Sequence, residues 1–291
     1  MSEYIIATAS TADLPRDYLD AHHLPFISYS YVMDDKPYQD DCREETRQNI
    51  YEKMRQGTVL TTSQINTFAY HEFFKSLMDK GLDVIYMDMS REMSHSYVNA
   101  KEAAAQIRQE YPNQRFYDMD TLCISGGLGL LVENAVSLKE AGKSFDEVVA
   151  WCEDNKLKVM HRFTVDDLKY LQRSGRVSNA SALIGSLLAV KPVMYVPDDG
   201  KLTVGSKVQG RKKALMAIVD GVKRDMAHPQ GQIVHILNAD CRQDAEFVAA
   251  KVKEAFPDVA EVRITNLGTI IGAHCGPGLL TIFYYGDHRQ I

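Results

Sequence analysis

The sequence predicts an α/β protein in two parts: an N-terminal domain, residues 1–157, with a mainly parallel sheet flanked by helices, and a C-terminal α+β domain, residues 158–291, with a mixed or antiparallel sheet. Three observations carry this reading. Short apolar runs alternate with longer helical patterns through the first half, as expected for strands joined through helices into a parallel sheet. From Lys158 onward strand-like segments dominate, with amphipathic helices between them. Three times in the first half, an apolar stretch runs into hydroxyls just ahead of a helix: Thr8, Ser10 and Thr11; Thr61, Thr62 and Ser63; Ser90, Ser94 and Ser96.

The elements follow in order. Strands are expected at Tyr4 to Thr8, Phe26 to Val32, Asp83 to Met89 and Arg115 to Asp118, each short, apolar and bounded by polar or turn residues. Helices are expected at about Glu44 to Gln56, Thr67 to Lys80, Ser96 to Glu110, Leu128 to Ala141 and Phe145 to Asn155; Gly142 follows the fourth as a natural C-cap. In the second half the strand-like segments are VMHRF, KPVMYVP, KLTVGSKV, QIVHIL, EVRITN and LLTIFYY. The helices from Ala214 to Met226 and from Arg242 to Phe256 are amphipathic and should cover one face of that sheet. Thr164 and Asp167 have the spacing of a capping box, and Ser178 is placed to cap the next helix, Ala180 to Val190. That helix is apolar nearly all round, so it is buried on every side or faces something apolar that is not protein.

Composition removes several function classes. With 45% hydrophobic and 25% charged residues over 291 positions, the chain is an ordinary globular protein with enough length for large cores. A net charge of -6, from 33 basic against 39 acidic residues, argues against a nucleic-acid partner. The five cysteines, Cys42, Cys123, Cys152, Cys241 and Cys275, are odd in number, scattered and free of any C-x-x-C pair, which fits a reducing cytoplasm and indicates neither a disulfide framework nor a zinc site. The opening MSEYIIATAS lacks a signal-peptide pattern, and the apolar run from Ala182 to Val190 is interrupted by Gly185 and Ser186, so no integral membrane insertion is expected.

A lone Ser or Thr ahead of a helix is ordinarily an N-cap. Three such clusters at one sheet edge are harder to explain that way, because ligands of open parallel sheets bind at the carboxyl ends of the strands. Hydroxyls and helix N-termini without an accompanying lysine or arginine suit a carboxylate or a small phosphate better than a nucleoside triphosphate. GxxxxGK[ST] is absent, and GGLGLLV, with Gly126, Gly127 and Gly129, lacks the remaining features of a dinucleotide loop, so these glycines are assigned to close helix packing. No GxSxG elbow is present. Asp34 with Asp35, and Asp40 with Asp41, sit in a polar loop and are expected to be solvated. Arg173 and Arg176 flank a tight Ser-Gly turn, as a solvated feature or as an anion or partner contact. His274 stands just ahead of the rigid turn Gly276-Pro277-Gly278, where a structural and a functional role are both open.

STADLP (residues 10–15), TTSQ (61–64), SREMSHSYVNA (90–100), DDLKYLQRSGRVSNASALIG (166–185), KVQGRKKAL (207–215) and GAHCGPGLL (272–280) together resemble the DegV family, in that family's order and over nearly the whole chain. The resemblance implies a two-domain, cytoplasmic fatty-acid-binding protein without cofactor or catalysis of its own. It would be the lipid-carrying subunit of a bacterial fatty acid kinase, whose separate ATP-binding subunit converts the bound carboxylate to an acyl phosphate. Transient contact with a membrane surface is compatible with that role. Carried over by motif, the carboxylate-binding residues are Thr62, Ser94 and His274, with Ser63 and Ser96 beside them. Arg173 is expected near the carboxyl end, with Arg176 and Arg211 on the face offered to the kinase. Ile184, Leu187 and Leu188 in the apolar helix are the expected acyl-tunnel residues. The sequence departs from the family pattern at Ala9, where an acid is usual, and at His95 and Ser96, where a Gly-Thr pair is usual. The competing reading is an enzyme at the same crevice, a hydrolase using Ser94 with His274 or His95 as base, or a phosphotransferase for a small anionic metabolite.

Overall fold

The computed structural model describes residues 3–176 and 190–289. The first half contributes strands β1 (Tyr4–Ala9), β2 (Phe26–Ile27), β3 (Ser30–Met33), β4 (Lys36–Gln39), β5 (Thr61–Ser63), β6 (Asp83–Asp88) and β7 (Phe116–Asp120). Its helices are α1 (Arg16–Ala21), α2 (Glu44–Arg55), α3 (Thr67–Met78), α4 (Ser96–Glu110), α5 (Gly126–Glu140) and α6 (Phe145–Asn155). β2, β1, β6 and β7 pair in that order, all parallel, with Tyr4 beside Asp83 and Val84 beside Phe116. β6 is almost fully buried, as its unbroken apolar run requires in a sheet covered on both faces.

The second half adds β8 (Val159–Thr164), α7 (Lys169–Ser174), β9 (Val190–Tyr195), β10 (Thr203–Gln209), α8 (Arg211–Asp225), β11 (Ile233–Asn238), α9 (Arg242–Ala255), β12 (Glu261–Asn266), α10 (Thr269–Cys275) and β13 (Leu280–Tyr285). Its sheet is mixed, with order β10, β9, β8, β13, β11, β12; only β11 and β12 run parallel. Strand alternation divides this sheet between two cores. Ile236, Ile282 and Tyr284 face α8 and α9, whereas Leu237, Phe163 and Phe283 join the core of the first half. The bridge on that second side is α5. A Cβ on Gly127 would lie 2.2 Å from His161 Nε2, and one on Gly126 would lie 2.8 Å from Phe283, so the glycine run lets a helix from the first half sit directly on the second sheet.

Three expectations need correction. Phe26 to Val32 is two strands: β2 stays in the parallel sheet, and β3 leaves it for a separate antiparallel sheet ordered β4, β3, β5. Asp34 and Asp35 turn the β3–β4 hairpin, both with left-handed backbone (φ 52° and 59°), the geometry a two-residue hairpin demands. Thr61, Thr62 and Ser63 therefore form an antiparallel edge strand rather than the carboxyl end of a parallel one. The second correction concerns Thr164 and Asp167. Thr164 ends β8, and α7 is preceded by Leu168, with Asp167 accepting from the Lys169 N–H, so no capping box forms.

Asp40 is buried rather than solvated, at 1% exposure, beside the equally buried Arg47 of α2. Arg47 donates to the carbonyls of Asp13 (3.2 Å) and Leu14 (2.9 Å) in the first half and of Asn266 (2.9 Å) in the second. Tyr51, one turn on, donates to the Leu267 carbonyl at 2.9 Å. The halves are thus tied through α2 to the connection that leads into α10. Asp13, enclosed in this junction, accepts from the Ser125 hydroxyl, and burial pushes its carboxyl up to about 7 against the pull of Arg47.

A raised carboxyl favours folding while it is protonated, so Asp13 stabilises the fold most below about pH 4 and loses that contribution as pH rises through about 7. Asp88, pushed up to about 6 by burial, acts in the same direction. His274, held down at about 4, acts oppositely, since its buried ring must charge as pH falls from 6.5. Subtracting wild type from Asp13→Asn isolates the first contribution: the variant should gain stability relative to wild type between pH 5 and pH 8. Urea unfolding at both values checks this, and a difference independent of pH would refute it.

Candidate functional site

Several chain segments bring polar groups to one cavity between the halves. Thr62 comes from β5, held in register opposite Tyr31 of β3. Ser94 comes from the loop between β6 and α4, and His274 from the last turn of α10. Tyr29 comes from the short link between β2 and β3. α10 stops one residue after His274 because Gly276 adopts a left-handed φ of 78°, and a side chain there would collide with the Tyr170 ring.

Thr62 Oγ1 and His274 Nε2 lie 3.0 Å apart. Burial, with the guanidiniums of Arg176 and Arg173 nearby, depresses the His274 imidazole to about 4, so the ring is neutral near pH 7 and offers one donor and one acceptor. Ser94 Oγ donates to Ser96 Oγ at 3.0 Å and accepts from the Ser96 N–H at 3.1 Å. Ser96 is fully buried and also accepts from the Ile65 N–H at 3.1 Å, so it stands behind Ser94 and does not line the cavity. Ser63 lies at the rim. His95, which departs from the glycine expected there, is exposed and lies outside the cavity lining.

The other hydroxyl clusters do not converge here. Thr8 donates to the Met87 carbonyl, Ser10 accepts from the Tyr29 N–H, and Ser90 donates to the Gly200 carbonyl. They hold the backbone around the site rather than lining it. The arginines take separate positions, with both Arg176 and Arg173 near enough to His274 to depress its titration. Arg176 lines the cavity, while Arg173 lies further out with its guanidinium over the Tyr170 ring at 5.1 Å. Arg211 is engaged within the second half, pairing with Asp244 at 2.8 Å and Asp166 at 3.6 Å. Ile184, Leu187 and Leu188, with Ser178, lie outside the described residues.

Beyond this polar end the lining turns apolar. Ile124, Leu202, Ile271 and Cys275 belong both to the head cavity and to an adjoining one formed by Phe163, Val196, Leu267, Leu279 and Phe283 on the inner face of the mixed sheet. These residues were not singled out in the sequence, although one signal was there: Ile270 and Ile271 precede His274 by four and three positions, the spacing that puts them on its helix face. At the far wall, His161 donates from Nδ1 to the Val159 carbonyl and accepts at Nε2 from the Ile124 N–H, so its ring is fully used and stays neutral. His274 bonds Thr62, not Ser94, and among the described residues no carboxylate orients its ring, which is not the arrangement of a serine hydrolase. Among those residues no group of His, Cys, Asp and Glu is placed to hold a metal ion, and no helix is long and apolar enough to cross a membrane.

Fold and site define a class: a three-sheet α/β protein in which hydroxyls and a neutral imidazole close one end of an apolar cavity. The chain belongs to the DegV family, whose model, described as "Uncharacterised protein, DegV family", matches residues 4–287. It is similar to a DegV domain-containing protein of Clostridium perfringens (strain 13 / Type A), with 36% identity over 291 residues and 100% of each chain covered. Among solved structures it is similar to a DegV family protein from Thermus thermophilus described for its fatty acid binding, at 27% identity and a TM-score of 0.87 over 97% of this chain and 99% of that one. It is also similar to DegV, a fatty acid binding protein from Bacillus subtilis, at 26% identity and a TM-score of 0.84 over 99% and 100% of the two chains.

Proposed function

We propose that this protein binds a long-chain fatty acid, with Thr62, Ser94 and His274 holding the carboxylate and the adjoining apolar cavity taking the tail. The observation that carries the reading is the joining of a hydroxyl and imidazole cluster to a cavity lined by Ile124, Leu202, Ile271 and Phe283. A fatty acid is the ligand whose two ends match those two environments. Burial of methylenes at about 0.8 kcal/mol each supplies the affinity, and the head contacts, at about 1 kcal/mol each, set the orientation. Ser63 stands at the rim, and Ser96 acts through Ser94. The fatty acid binding described for the relatives from T. thermophilus and B. subtilis supports the same reading.

The finer part of the proposal is presentation of this ligand to a separate ATP-binding kinase subunit, which forms the acyl phosphate while this chain acts as the substrate-binding partner. Hydroxyls suit a carboxylate that must later attack a phosphoryl group, because a bidentate arginine would occupy the attacking oxygens. Exposed Arg173, near the head cavity, and cavity-lining Arg176 are the cations placed to meet a phosphate-bearing partner; Arg211, held by Asp166 and Asp244, contributes less than its motif suggests.

Mass spectrometry of an organic extract of the purified protein tests the binding step. A stoichiometric long-chain fatty acid is the expected result, and neither co-purified nor added fatty acid binding would overturn it. Acyl-phosphate formation with ATP and the kinase subunit tests presentation. Ser94→Ala and Thr62→Ala should each remain folded and weaken binding by about 1 kcal/mol, and unaltered binding and acyl-phosphate formation in both would remove these residues from the head site.

A further inference from the structure

Tyr29 is a polar cavity residue that the proposed function leaves unused. Its side chain is 3% exposed, it lines the head cavity beside Ser94, and its phenol oxygen is buried without a hydrogen-bond partner. A buried hydroxyl without a partner costs about as much as a lost hydrogen bond, so such a group points to an interaction made in another state of the molecule. The backbone on either side is fixed: the Tyr29 N–H donates to Ser10 Oγ at 3.1 Å, and its carbonyl accepts from the Asp40 N–H at 2.9 Å. The phenol is held in place by the fold, and only its proton is free to choose a direction.

Its neighbours are the hydroxyls of Ser96, Tyr70 and Ser94, close enough to lower the phenol's titration but without hydrogen-bond geometry to its oxygen. Tyr70 donates to Asp88 at 2.9 Å, where Tyr86 (2.8 Å) and the Met89 N–H (2.8 Å) also donate. Ser94 spends its proton on Ser96. With Ser94 donating to Ser96, the serine at the cavity has its donor turned away from it, which is wrong for receiving a carboxylate, a group that only accepts.

We propose that Tyr29 is a positioning residue for the head group: when a carboxylate enters, the phenol donates into the Ser96–Ser94 pair, and Ser94 turns its own proton outward to the ligand. Burial raises the phenol far above its ordinary range, so it remains a neutral donor throughout. The inference rests on the fatty-acid reading and adds how the site selects an anionic head over a neutral one. A fatty alcohol both donates and accepts, so it pairs with Ser94 in either direction and gains nothing from Tyr29.

The test compares hexadecanoate with hexadecan-1-ol binding, by titration calorimetry, in wild type, Tyr29→Phe, Ser94→Ala and the double variant, with thermal melts to verify folding. Tyr29→Phe should weaken hexadecanoate about five- to tenfold, the size of one hydrogen bond, and leave the alcohol unchanged. In the Ser94→Ala background the same change should have no effect, because the relay has lost its outer member. Equal losses for acid and alcohol would show a packing role and overturn the proposal, as would an unaltered acid affinity or a full loss persisting without Ser94. If wild type binds neither ligand, the fatty-acid reading itself falls, a result distinct from those three.

Discussion

Replacing Arg47 with alanine is expected to destabilise the protein by about 3–5 kcal/mol, the cost of breaking a buried charged network at one partner. Arg47 is 1% exposed and donates to three backbone carbonyls, two before α1 and one at the end of β12. Alanine leaves those carbonyls without a donor in a place water does not reach, and it removes the cation that offsets burial of Asp13 and Asp40 in the shifts of those carboxyls. Arg47→Lys should recover part of the loss, since one ammonium restores the charge but cannot reach all three carbonyls from a single point.

A second arginine on the same helix gives the comparison its force. Arg55 also crosses between the halves, bonding Asp240 through its side chain and main-chain carbonyl, but both partners are about half exposed. A surface pair of that kind is worth about 0–1 kcal/mol, so Arg55→Ala should be nearly silent. Urea unfolding followed by circular dichroism measures both variants. Equal effects would mean that solvent enters the junction and that burial does not set the value of these contacts.

How much of this was legible in the sequence depended on whether a residue's role was local. β1 and β6 were legible because strands covered on both faces read as unbroken apolar runs, and α5 because its glycines had no chemical use other than close approach. The three-stranded sheet was not: β4 is exposed at every position and contains Pro37, and β5 is three residues long, so neither carries an alternating pattern. Asp40 looked like a solvated loop acid because its burial follows from closure of α2 over the STADLP segment, a tertiary event. The site divides the same way. Thr62 and His274 meet across 212 positions, a contact no spacing rule reaches, and they were found through motif blocks instead. Tyr29 sits in an S-Y-S-Y stretch that reads as an ordinary strand edge, and only its buried, unpartnered phenol oxygen at the cavity sets it apart.

The largest functional effect is expected from closing the passage between the two cavities. Ile271 of α10 lines both, one turn from His274, and is only partly buried, so a tryptophan there can fill the passage with less strain than at a fully packed position. If the tail runs where we propose, wild-type affinity should rise with chain length from octanoate to hexadecanoate by up to about 0.8 kcal/mol per methylene. In Ile271→Trp that slope should collapse beyond the blocked point while the head contacts of Thr62, Ser94 and His274 persist. Hexadecanoate should then lose at least about a hundredfold in affinity, the equivalent of roughly four methylenes, and octanoate far less. A variant that keeps the wild-type slope would place the tail on another path from the head site, whereas loss of octanoate and hexadecanoate in equal proportion would mean that tryptophan had displaced α10 and, with it, His274.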